Sequence, residues 1–594
     1  MKKTLAVGTE SFQNMVNNNR YYVDKTGFIK PLMESGSFVQ LITRPRRFGK
    51  TLFLDTVRTF LEVNEKKPGD ASYQQSLFSD LNILNQKDFC NRFMGQFPVL
   101  FISLRTVKGQ TFDSAMNALA EVIQPIAENY ASLIDSPRLS DDDKTFLRNT
   151  LSRAYLLNPA HRQDLSVFLS KLTSILARHF ERQVVLLIDE YDVPLQKAAK
   201  ADYYPAMLEF VQSFLSPLKS ETSLRVNGRP ALRKAILTGC LRVSKASIFT
   251  DVNNFDVNTV CLQGGSLATA FGFTESEVND LLNYYDLADQ KSVVKHWYDG
   301  YRFGNADIYC PWDVICFCND IQEVGINMGS FFPENYWADT SSNDVIEEFL
   351  GFLSSEDADK MQHLLDGGSV ELCVNEQLTY GDFKDHCSDD FWTLLLLTGY
   401  LTIQERLPGK NQCFRVRIPN EEIRLTFEKK IRAHFSKANS QLVNRGVELA
   451  HSFLSGNAEN VRKTLLPLLR KYISVRDSAT KAPPENYYHG FLTAMLACAG
   501  STIENFHSNR ESGNGFADLV FTSPDQDVGV IVEIKRCNKD QEMMTSAQKA
   551  LAQIKTQNYV QELMNYDCRQ LWGFGIAFYG KACVITVTEL AKST

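Results

Sequence analysis

Short runs of apolar residues alternate with longer amphipathic stretches in the N-terminal part of the chain. The runs have the length of strands and cover residues 38–42, 97–104, 184–189 and 233–239. The stretches between them, such as 112–180, have apolar positions at helical spacing. Apolar strands separated by helices are typical of a parallel sheet that is covered on both faces. The pattern therefore predicts an α/β domain with a parallel sheet over residues 1–255.

The pattern changes twice after this region. Residues 256–430 mix helices with a stretch that is dense in aromatic side chains, which predicts a mixed α/β or helical middle domain. Residues 431–480 have helical spacing and predict a spacer, and the Pro-Pro pair at 483–484 breaks that spacing. Residues 481–594 alternate helix, paired strands, helix and strand, which predicts a small α/β unit.

A phosphate-binding loop is predicted where the first apolar run ends. Phe48, Gly49, Lys50 and Thr51 follow a short strand and precede a stretch of helical spacing, and this is the context that such a loop requires. Backbone N–H groups would contact phosphate oxygens, the Lys50 ammonium the β- and γ-phosphates, and the Thr51 hydroxyl a Mg²⁺ ion. Arg44 stands where the consensus loop has its first glycine.

Polar residues end two later strands at the same predicted sheet edge. Asp189 is placed to hold the Mg²⁺ shell, and Glu190 is placed to polarise an attacking water. A core strand that ends in two solvated acids is the alternative. Thr238 stands where a side chain would sense the γ-phosphate, and Arg242 is either a charge-stabilising arginine or an ordinary surface residue. Together with the loop, these residues predict that the chain binds and hydrolyses ATP.

Three arginines, Arg44, Arg46 and Arg47, surround the predicted loop. A cluster of like charges requires a counter-anion, and guanidinium groups match phosphate and carboxylate oxygens in a bidentate manner. We therefore expect these side chains to contact either the nucleotide phosphates or a carboxylate from a neighbouring domain.

A second set of chemical groups lies near the C-terminus, where two strands are predicted to form a hairpin. Asp518 lies on the first strand, and Glu533 and Lys535 lie on the second, after a turn at 524–527. Side chains two positions apart in a strand point to the same face, so the hairpin gathers all three groups. Carboxylates that hold Mg²⁺, or alternatively Mn²⁺, beside a lysine predict hydrolysis of a phosphodiester.

Two further residues fit this predicted nuclease site. Glu485 opens the preceding helix as an additional metal ligand, and Gln553 on the following helix is placed to orient the substrate or water. The alternative for Glu533 and Lys535 is an ordinary ion pair on a solvated strand, since Glu-x-Lys is frequent there.

Five sequence blocks carry a resemblance to a protein family that is widespread in bacteria. They cover residues 22–26, 43–51, 188–195, 297–304 and 336–343. They resemble the predicted AAA-ATPase-like family, whose members typically end in a PD-(D/E)XK nuclease-like domain. The resemblance implies a P-loop ATPase fold in which Arg44 is the family's own replacement for the usual glycine. It also makes a homo-oligomer an expected state, because ATPases of this type often complete their sites between subunits.

In two of the resembling regions, individual residues either have more than one interpretation or depart from the family pattern. The pattern around Tyr301 and Arg302 fits either stacking on a base or a structural clasp between the ATPase and its neighbour. Asp518, Glu533 and Lys535 are similar to the PD-(D/E)XK pattern of a restriction-endonuclease-like domain. Phe516 stands where an arginine is common, and Tyr559 follows Gln553 by six residues instead of four. These departures concern substrate contacts and remove no metal ligand.

The amino-acid composition says more about the cellular compartment and the number of domains than about the chemistry of the chain. A chain of 594 residues is too long for one core, and its 44% hydrophobic and 22% charged residues are ordinary for a globular protein. The 13 cysteines contain no C-x-x-C pair, and no signal peptide or membrane-spanning run is visible. A reduced cytoplasmic setting is therefore expected. The net charge of −7 means that DNA contacts require a local patch or bound metal.

These features lead to one hypothesis and one alternative. The hypothesis is an ATP-binding and ATP-hydrolysing protein with Mg²⁺-dependent nuclease activity on DNA. Nucleotide state would regulate the cutting, and defence or control of mobile elements is an expectation from family analogy alone. The alternative is a nucleotide-switched interaction or nucleic-acid-binding protein whose nuclease fold is catalytically silent.

Overall fold

The chain folds into two compact units. One comprises Met1–Ser342 with Ser369–Arg424, and the other comprises Asn343–Gly368 with Leu425–Thr594. The computed structural model describes residues 2–219, 224–241, 255–262, 265–324, 333–337, 355–375, 378–380, 388–410, 412–437, 440–472, 485–512, 515–537, 539–557, 559–563, 566 and 568–590. The predicted division into four domains stays a prediction.

The first unit alternates strands and helices along most of its length. Its strands are β1 (Val39–Thr43), β2 (Val99–Ser103), β3 (Val184–Asp189), β4 (Arg225–Val226), β5 (Arg229–Pro230), β6 (Leu232–Gly239), β7 (Phe255–Asn258), β8 (Tyr301–Phe303), β9 (Ala306–Ile308), β10 (Val370–Cys373), β11 (Thr402–Arg406) and β12 (Cys413–Arg417). Its α-helices are Phe12–Asn17, Ile29–Glu34, Lys50–Leu61, Ser72–Leu77, Lys87–Phe93, Phe112–Glu128, Asp141–Leu151, Arg153–Leu156, Arg162–Ser166, Phe168–Phe180, Val193–Lys200, Tyr204–Phe214, Glu275–Tyr284, Lys291–Tyr298, Pro311–Val324 and Ser388–Thr398, and Glu421–Lys437 begins in it.

The central sheet of this unit has five parallel strands in the order β2-β3-β6-β1-β7. This confirms the predicted parallel sheet, because the four apolar runs form β1, β2, β3 and β6. Every residue of β1 and β3 is buried, as expected for strands that are covered on both faces. The remaining strand, β7, was not predicted, because it lies at the sheet edge with half-exposed and polar residues.

The register places the carboxyl ends of four strands side by side. Ser103 of β2 pairs with Asp189 of β3, and Ile42 of β1 pairs with Thr238 of β6. Parallel strands end at one edge of a sheet, so the polar residues that follow them converge there. The predicted phosphate loop and the predicted acidic residues therefore meet at the same edge.

An aromatic clasp holds the phosphate loop against β8. Phe48 packs at 5.0 Å from both Tyr301 and Phe303 of β8, measured between ring centroids. A Cβ atom on Gly300, whose φ is +104°, would lie 2.0 Å from the carbonyl oxygen of Pro419, so only glycine fits this contact. Tyr301 is 1% exposed, which favours the structural clasp over stacking on a base.

The second unit is built on the antiparallel-rich sheet β13 to β17, in which only β15 and β16 are parallel. Its strands are β13 (Glu504–Ser512), β14 (Gly515–Thr522), β15 (Val528–Arg536), β16 (Gln570–Tyr579) and β17 (Ala582–Glu589). Its other α-helices are Ser355–Leu365, Ser440–Leu454, Ala458–Tyr472, Glu485–Ala497, Met543–Thr556 and Val560–Leu563. This confirms the small α/β unit that the C-terminal pattern predicts.

The faces of this second sheet are covered by different helices. Leu519, Val532 and Ile534 pack with the helices Ser440–Leu454, Ala458–Tyr472 and Glu485–Ala497. Ile531 packs on the opposite face with Ile554 of the helix Met543–Thr556. In the described part of the chain, every helix falls short of the length and apolarity that are needed to cross a bilayer.

Two buried carboxyl groups, Asp313 and Glu422, lie side by side in the first unit. Both residues are 0% exposed, and the backbone N–H of Trp337 donates a 2.7 Å hydrogen bond to Glu422 Oε1. Burial raises the pKa of Asp313. Burial, and next the charge of Asp313, raises the pKa of Glu422 well above its usual range. The pair therefore retains a proton at neutral pH, because two adjacent buried carboxylates repel each other.

We predict that the first unit becomes less stable as the pH rises, because the folded chain binds this proton more tightly than the unfolded chain does. A folded-state pKa above the unfolded value means that the folded chain binds more protons, so the stabilisation is complete at low pH and is lost as the pH rises above the unfolded pKa. Glu422→Gln removes the titration and keeps an acceptor for Trp337. Between pH 5 and pH 8 the Tm of the wild type should fall by about 3 °C more than that of the variant. Glu421→Gln is the control and should follow the wild type, and parallel curves for all three proteins would contradict the prediction.

Candidate functional site

The Lys50 side chain lies inside the phosphate loop and contacts the loop backbone. The helix Lys50–Leu61 begins after Gly49, whose φ of +82° lies in the left-handed region that favours glycine. Lys50 Nζ donates 3.1 Å hydrogen bonds to the carbonyl oxygens of Arg44 and Pro45 and lies 3.4 Å from Glu190 Oε1. The Lys50 side chain is 3% exposed, so its ammonium points into the loop, where phosphate oxygens would compete for it.

Asp189 connects the predicted magnesium and sensor residues. Thr51 Oγ1 donates to Asp189 Oδ2 at 2.8 Å, and Thr238 Oγ1 donates to Asp189 Oδ1 at 2.6 Å. Ser103 Oγ also reaches Asp189 Oδ2, at 3.3 Å. The structure thus brings together Thr51, Asp189 and Thr238. Ser103 was missed, although a polar residue near the end of an apolar run is the same signal that identified Thr238.

The charged residues of this site shift one another's pKa values. Burial, and next the charge of Glu190, raises the pKa of Asp189, while the hydroxyl donors Thr238 and Thr51 oppose that rise. Burial alone would lower the pKa of Lys50, but the nearby carboxylates, Glu190 foremost, raise it above its usual value. The ammonium therefore stays charged, and a cation beside two carboxylates and a hydroxyl provides the groups that a metal–triphosphate complex requires.

Glu190 has an unusual backbone conformation. Its φ is +52°, in the left-handed region that costs a non-glycine residue energy. Asp192 follows two residues later, and its Oδ2 accepts the N–H groups of Cys240 and Leu241 at 3.1 and 3.0 Å. Asp192 was not among the predicted site residues, because an acid in the turn after a strand gives no signal of its partner.

Arg44 lies beneath the loop and is 1% exposed. Its guanidinium donates to the carbonyl oxygens of Thr43, Asn258 and Leu267 and to the Asn258 side chain, at 2.6 to 3.4 Å. It also lies 5.1 Å from the centroid of the Phe303 ring. Carbonyl oxygens thus surround this charge where a counter-anion was expected. A direct contact of Arg44 with phosphate stays a prediction.

The other predicted arginines have different surroundings. The guanidinium carbon of Arg47 lies 4.2 Å from the centroid of the Trp312 ring, and the Arg47 side chain donates to the carbonyl oxygen of Tyr336 at 2.8 Å. Arg46 is half-buried and donates to Gln196 at 3.4 Å. Burial alone would lower the pKa of Arg46, but nearby negative charges, among them Glu190 and Asp192, raise it. Arg242 lies outside the described residues.

An apolar cavity of about 80 Å³ adjoins the loop. Five segments line it: the N-terminal stretch with Ala6, the loop and helix with Gly49, the segment that contains Ala270, and two helices that contribute Leu281 and Ile315. Sequence patterns gave no indication of it, because the lining residues are distant from one another along the chain.

The predicted hairpin of the second unit is present as β14 and β15. Val520 and Ile531 pack in one cluster, and the alternation of strand residues puts Asp518 and Glu533 on that same face. Glu533 is 2% exposed, and its Oε1 lies 3.1 Å from Lys535 Nζ. Asp518 Oδ2 accepts the N–H of Ile534 at 2.7 Å. The structure therefore places the three predicted groups together on paired strands.

The neighbouring helices contribute further polar groups. Gln553 Nε2 donates to Tyr559 Oη at 3.2 Å, so the six-residue spacing still pairs these side chains. His489 Nε2 lies 2.9 Å from the carbonyl oxygen of Asp518, a contact that was not predicted. Glu485 begins the helix Glu485–Ala497, and its side chain lies outside the described part of the structure. Among the described residues, no cluster of three or more His, Cys, Asp or Glu side chains is arranged to hold a metal ion.

Comparisons with known proteins agree with this geometry. Residues 6–249 match the model of a family described as predicted AAA-ATPase. Residues 483–588 match the model of the PD-(D/E)XK nuclease superfamily. An "Uncharacterized protein in vnfD 5'region" of Azotobacter chroococcum mcd 1 is 26% identical over 426 residues, which cover 71% of this chain and 69% of that protein.

One solved structure is also similar, at a low level. It is the ORC2 protein of Aeropyrum pernix in ADPNP–ADP complexes, with 10% identity and a TM-score of 0.25. The match covers 68% of this chain and 92% of that chain. A similarity this weak carries no argument about function.

The contacts of Arg44 predict that it stabilises the fold. Arg44→Ala should lower the free energy of unfolding by about 3 kcal/mol, because several buried carbonyl groups lose their donor. Arg46→Ala, two residues nearer the helix and half-buried, should lower it by less than about 0.5 kcal/mol. Urea unfolding followed by tryptophan fluorescence measures both. Equal effects would show that Arg44 has no special structural role.

Proposed function

We propose an ATP-regulated, metal-dependent deoxyribonuclease as the function of this chain, which belongs to the predicted AAA-ATPase family over residues 6–249 and to the PD-(D/E)XK nuclease superfamily over residues 483–588. The observation that carries the proposal is the pairing of Asp189 with Thr51 beside Lys50, together with the gathering of Asp518 and Glu533 beside Lys535. Each arrangement supplies hard oxygen donors and a cation, which suit a metal ion and a phosphate group.

In the first unit, each side chain has a separate task in ATP hydrolysis. Thr51 and Asp189 would hold Mg²⁺, which supplies charge neutralisation on the phosphates when it is bound. The Lys50 ammonium leaves the loop carbonyls for the β- and γ-phosphate oxygens. The Glu190 carboxylate accepts a proton from the attacking water, and Thr238 keeps Asp189 oriented.

The cavity beside Gly49 is the place that we assign to the nucleobase. Its lining is largely apolar and includes Tyr22, Leu52 and Ala270. At about 80 Å³ the cavity is smaller than a purine, so the lining side chains must move apart to admit the base. Burial of the flat ring then removes apolar surface from water and requires few hydrogen bonds. We therefore expect the base to increase affinity while giving little discrimination between purines.

In the second unit, the donor set fits a divalent metal with oxygen ligands. Asp518 and Glu533 would hold Mg²⁺ or Mn²⁺, which supplies Lewis-acid stabilisation of the phosphodiester when it is bound. Lys535 exchanges its contact with Glu533 for the developing charge on phosphate, and Gln553 orients the substrate or the water. Glu485 and the nucleotide contacts of Arg46, Arg47, Phe48 and Arg242 belong to the same proposal.

A second function, a nucleotide-switched binding protein with a silent nuclease fold, is favoured by one observation. Residues 481–594 contain 10 Lys and Arg against 12 Asp and Glu, so that this region offers no excess of positive charge to a DNA backbone. The two functions differ in whether DNA is cut or only bound. Defence or control of mobile elements would be compatible with either.

Lys50 and Glu190 should separate ATP binding from hydrolysis. Lys50→Ala should abolish binding or weaken it strongly, because the phosphates lose their buried cation. Glu190→Gln should bind ATP normally and hydrolyse it about 100-fold more slowly, because only the proton acceptor is lost. Calorimetry and phosphate release measure the two steps, with the exposed Lys171→Ala as the control.

The same calorimetry tests the nucleobase cavity through competition by ATP, GTP and inorganic tripolyphosphate. ATP and GTP should bind similarly, and tripolyphosphate about tenfold more weakly. Normal hydrolysis by Glu190→Gln would assign the proton acceptor to another residue, and equal affinity for tripolyphosphate would place the base elsewhere.

Cutting of DNA should require the hairpin residues and respond to nucleotide. Linear and plasmid DNA are incubated with Mg²⁺ or Mn²⁺ and with ADP, ATP or a non-hydrolysable analogue. Wild-type protein should cut, Glu533→Gln and Lys535→Ala should lose at least about 100-fold in rate, and the exposed Lys539→Ala should cut normally.

Three results would count against the proposal. Cutting that persists in Glu533→Gln identifies a contaminant. Binding of DNA without cutting by the wild type supports the silent-nuclease alternative. Cutting that is indifferent to nucleotide, with ATP turnover indifferent to DNA, removes the regulatory part, because coupling between two sites is reciprocal.

A further inference from the structure

The turn that follows β3 holds the end of β6 through several hydrogen bonds. Asp192, which is 1% exposed, accepts the N–H groups of Cys240 and Leu241 on its Oδ2. Tyr191 Oη donates to the carbonyl oxygen of Leu241 at 2.8 Å, and the Tyr191 N–H donates to that of Thr238 at 3.0 Å. Residues 191 and 192 therefore fix the chain immediately beyond the predicted sensor.

A third donor to the same carboxylate oxygen comes from a distant part of the sequence. Tyr380 Oη donates to Asp192 Oδ2 at 2.9 Å, across 188 positions of the chain. Tyr380 is 2% exposed and lies between β10 and the helix Ser388–Thr398. Asn375, in the same connection, is held by Thr393 Oγ1 at 3.1 Å and by Asp390 Oδ1 at 2.8 Å. Asn375, five residues before Tyr380, is thus anchored to the helix Ser388–Thr398.

The other oxygen of Asp192 is closely packed. Within the described residues, Asp192 Oδ1 is buried and has no hydrogen-bond partner. A Cβ atom on Gly239 would lie 2.6 Å from it, so the carboxylate fills the space that a side chain would need. Burial, and next the charge of Glu190, raises the pKa of Asp192, while the Leu241 N–H and the Tyr380 hydroxyl oppose that rise. The donors on Oδ2 therefore hold this group in place and partly offset the rise in its pKa.

The need for these bonds arises at Glu190. A left-handed backbone at a non-glycine residue persists only where the surroundings hold it. The residues that follow Glu190 are Tyr191 and Asp192, and both are fixed by the contacts above. Loss of one bond to Asp192 should let the turn relax and move the Glu190 carboxylate away from its place beside Lys50.

We propose that Tyr380 is a positioning residue for ATP hydrolysis, because its hydroxyl holds Asp192 and thereby the turn that presents Glu190. This inference rests on the ATPase function proposed above. It gives the region around β10 to β12 a task in the ATPase cycle. A partner or ligand that displaces the segment would change turnover without touching the nucleotide.

The test compares variants that lose a single hydroxyl. Tyr380→Phe should bind ATP with unchanged affinity and show a kcat about tenfold lower, the order of effect of one hydrogen bond to a charged group. Tyr203→Phe is the matched control, because its buried hydroxyl donates to the Gly109 carbonyl at 2.9 Å and does not contact the turn. Asp192→Asn, which keeps the shape of the side chain, should lower kcat in the same way.

Double variants separate positioning from general stability. In a Glu190→Gln background, Tyr380→Phe should lower kcat no further, because the residue acts through Glu190. A Tyr380→Phe protein with wild-type kcat would overturn the inference, as would an equal loss in Tyr203→Phe. Normal turnover in Glu190→Gln would assign the proton acceptor to another residue and would also overturn the inference. A wild-type protein that does not hydrolyse ATP would overturn the proposed ATPase function itself, which is a distinguishable result. If Tyr380→Phe does not fold, the kcat of Asp192→Asn decides the question.

Discussion

The burial of one carboxylate, that of Asp189, is the constraint on which the N-terminal unit depends. A buried charge needs hydrogen-bond donors. Asp189 accepts from the hydroxyl of Thr51, near the start of a helix, and from the hydroxyl of Thr238, near the end of β6. Those contacts set the spacing between the phosphate loop and the sheet edge. The position of Lys50 beside Glu190 follows, since the ammonium is enclosed by the same loop. Fold and candidate chemistry therefore share one set of hydrogen bonds.

The replacement of the first loop glycine by Arg44 has structural requirements of its own. A guanidinium without exposure to water must be enclosed by acceptors and aromatic faces, and the chain supplies Asn258, Leu267 and Phe303. Phe48 completes this arrangement through its contacts with β8. The aromatic blocks that support the family resemblance thus have a physical reason: they provide the surroundings that an arginine beneath the loop needs.

Local patterns in the sequence predicted what is local in the structure. Continuous apolar runs identified the inner strands, because a strand that is covered on both faces contains little else, and alternation in the hairpin grouped Asp518 with Glu533. Contacts between distant segments were not predictable. Tyr380 meets Asp192 only through the fold, and the disulfide between Cys373 and Cys413 joins residues 40 positions apart that the register of β10 and β12 places opposite each other.

The surroundings of Arg44 also determine how this protein can be divided or recombined. The central sheet closes with β7, yet the acceptors and rings that enclose the guanidinium extend to Phe303, well beyond the last residue of the family match at 249. A gene fragment that ends with the sheet would keep Asn258 but lack Leu267 and Phe303, so that the Arg44 guanidinium would be only partly enclosed. We therefore expect an ATPase that is exchanged between related chains to fold only when the aromatic segment travels with it.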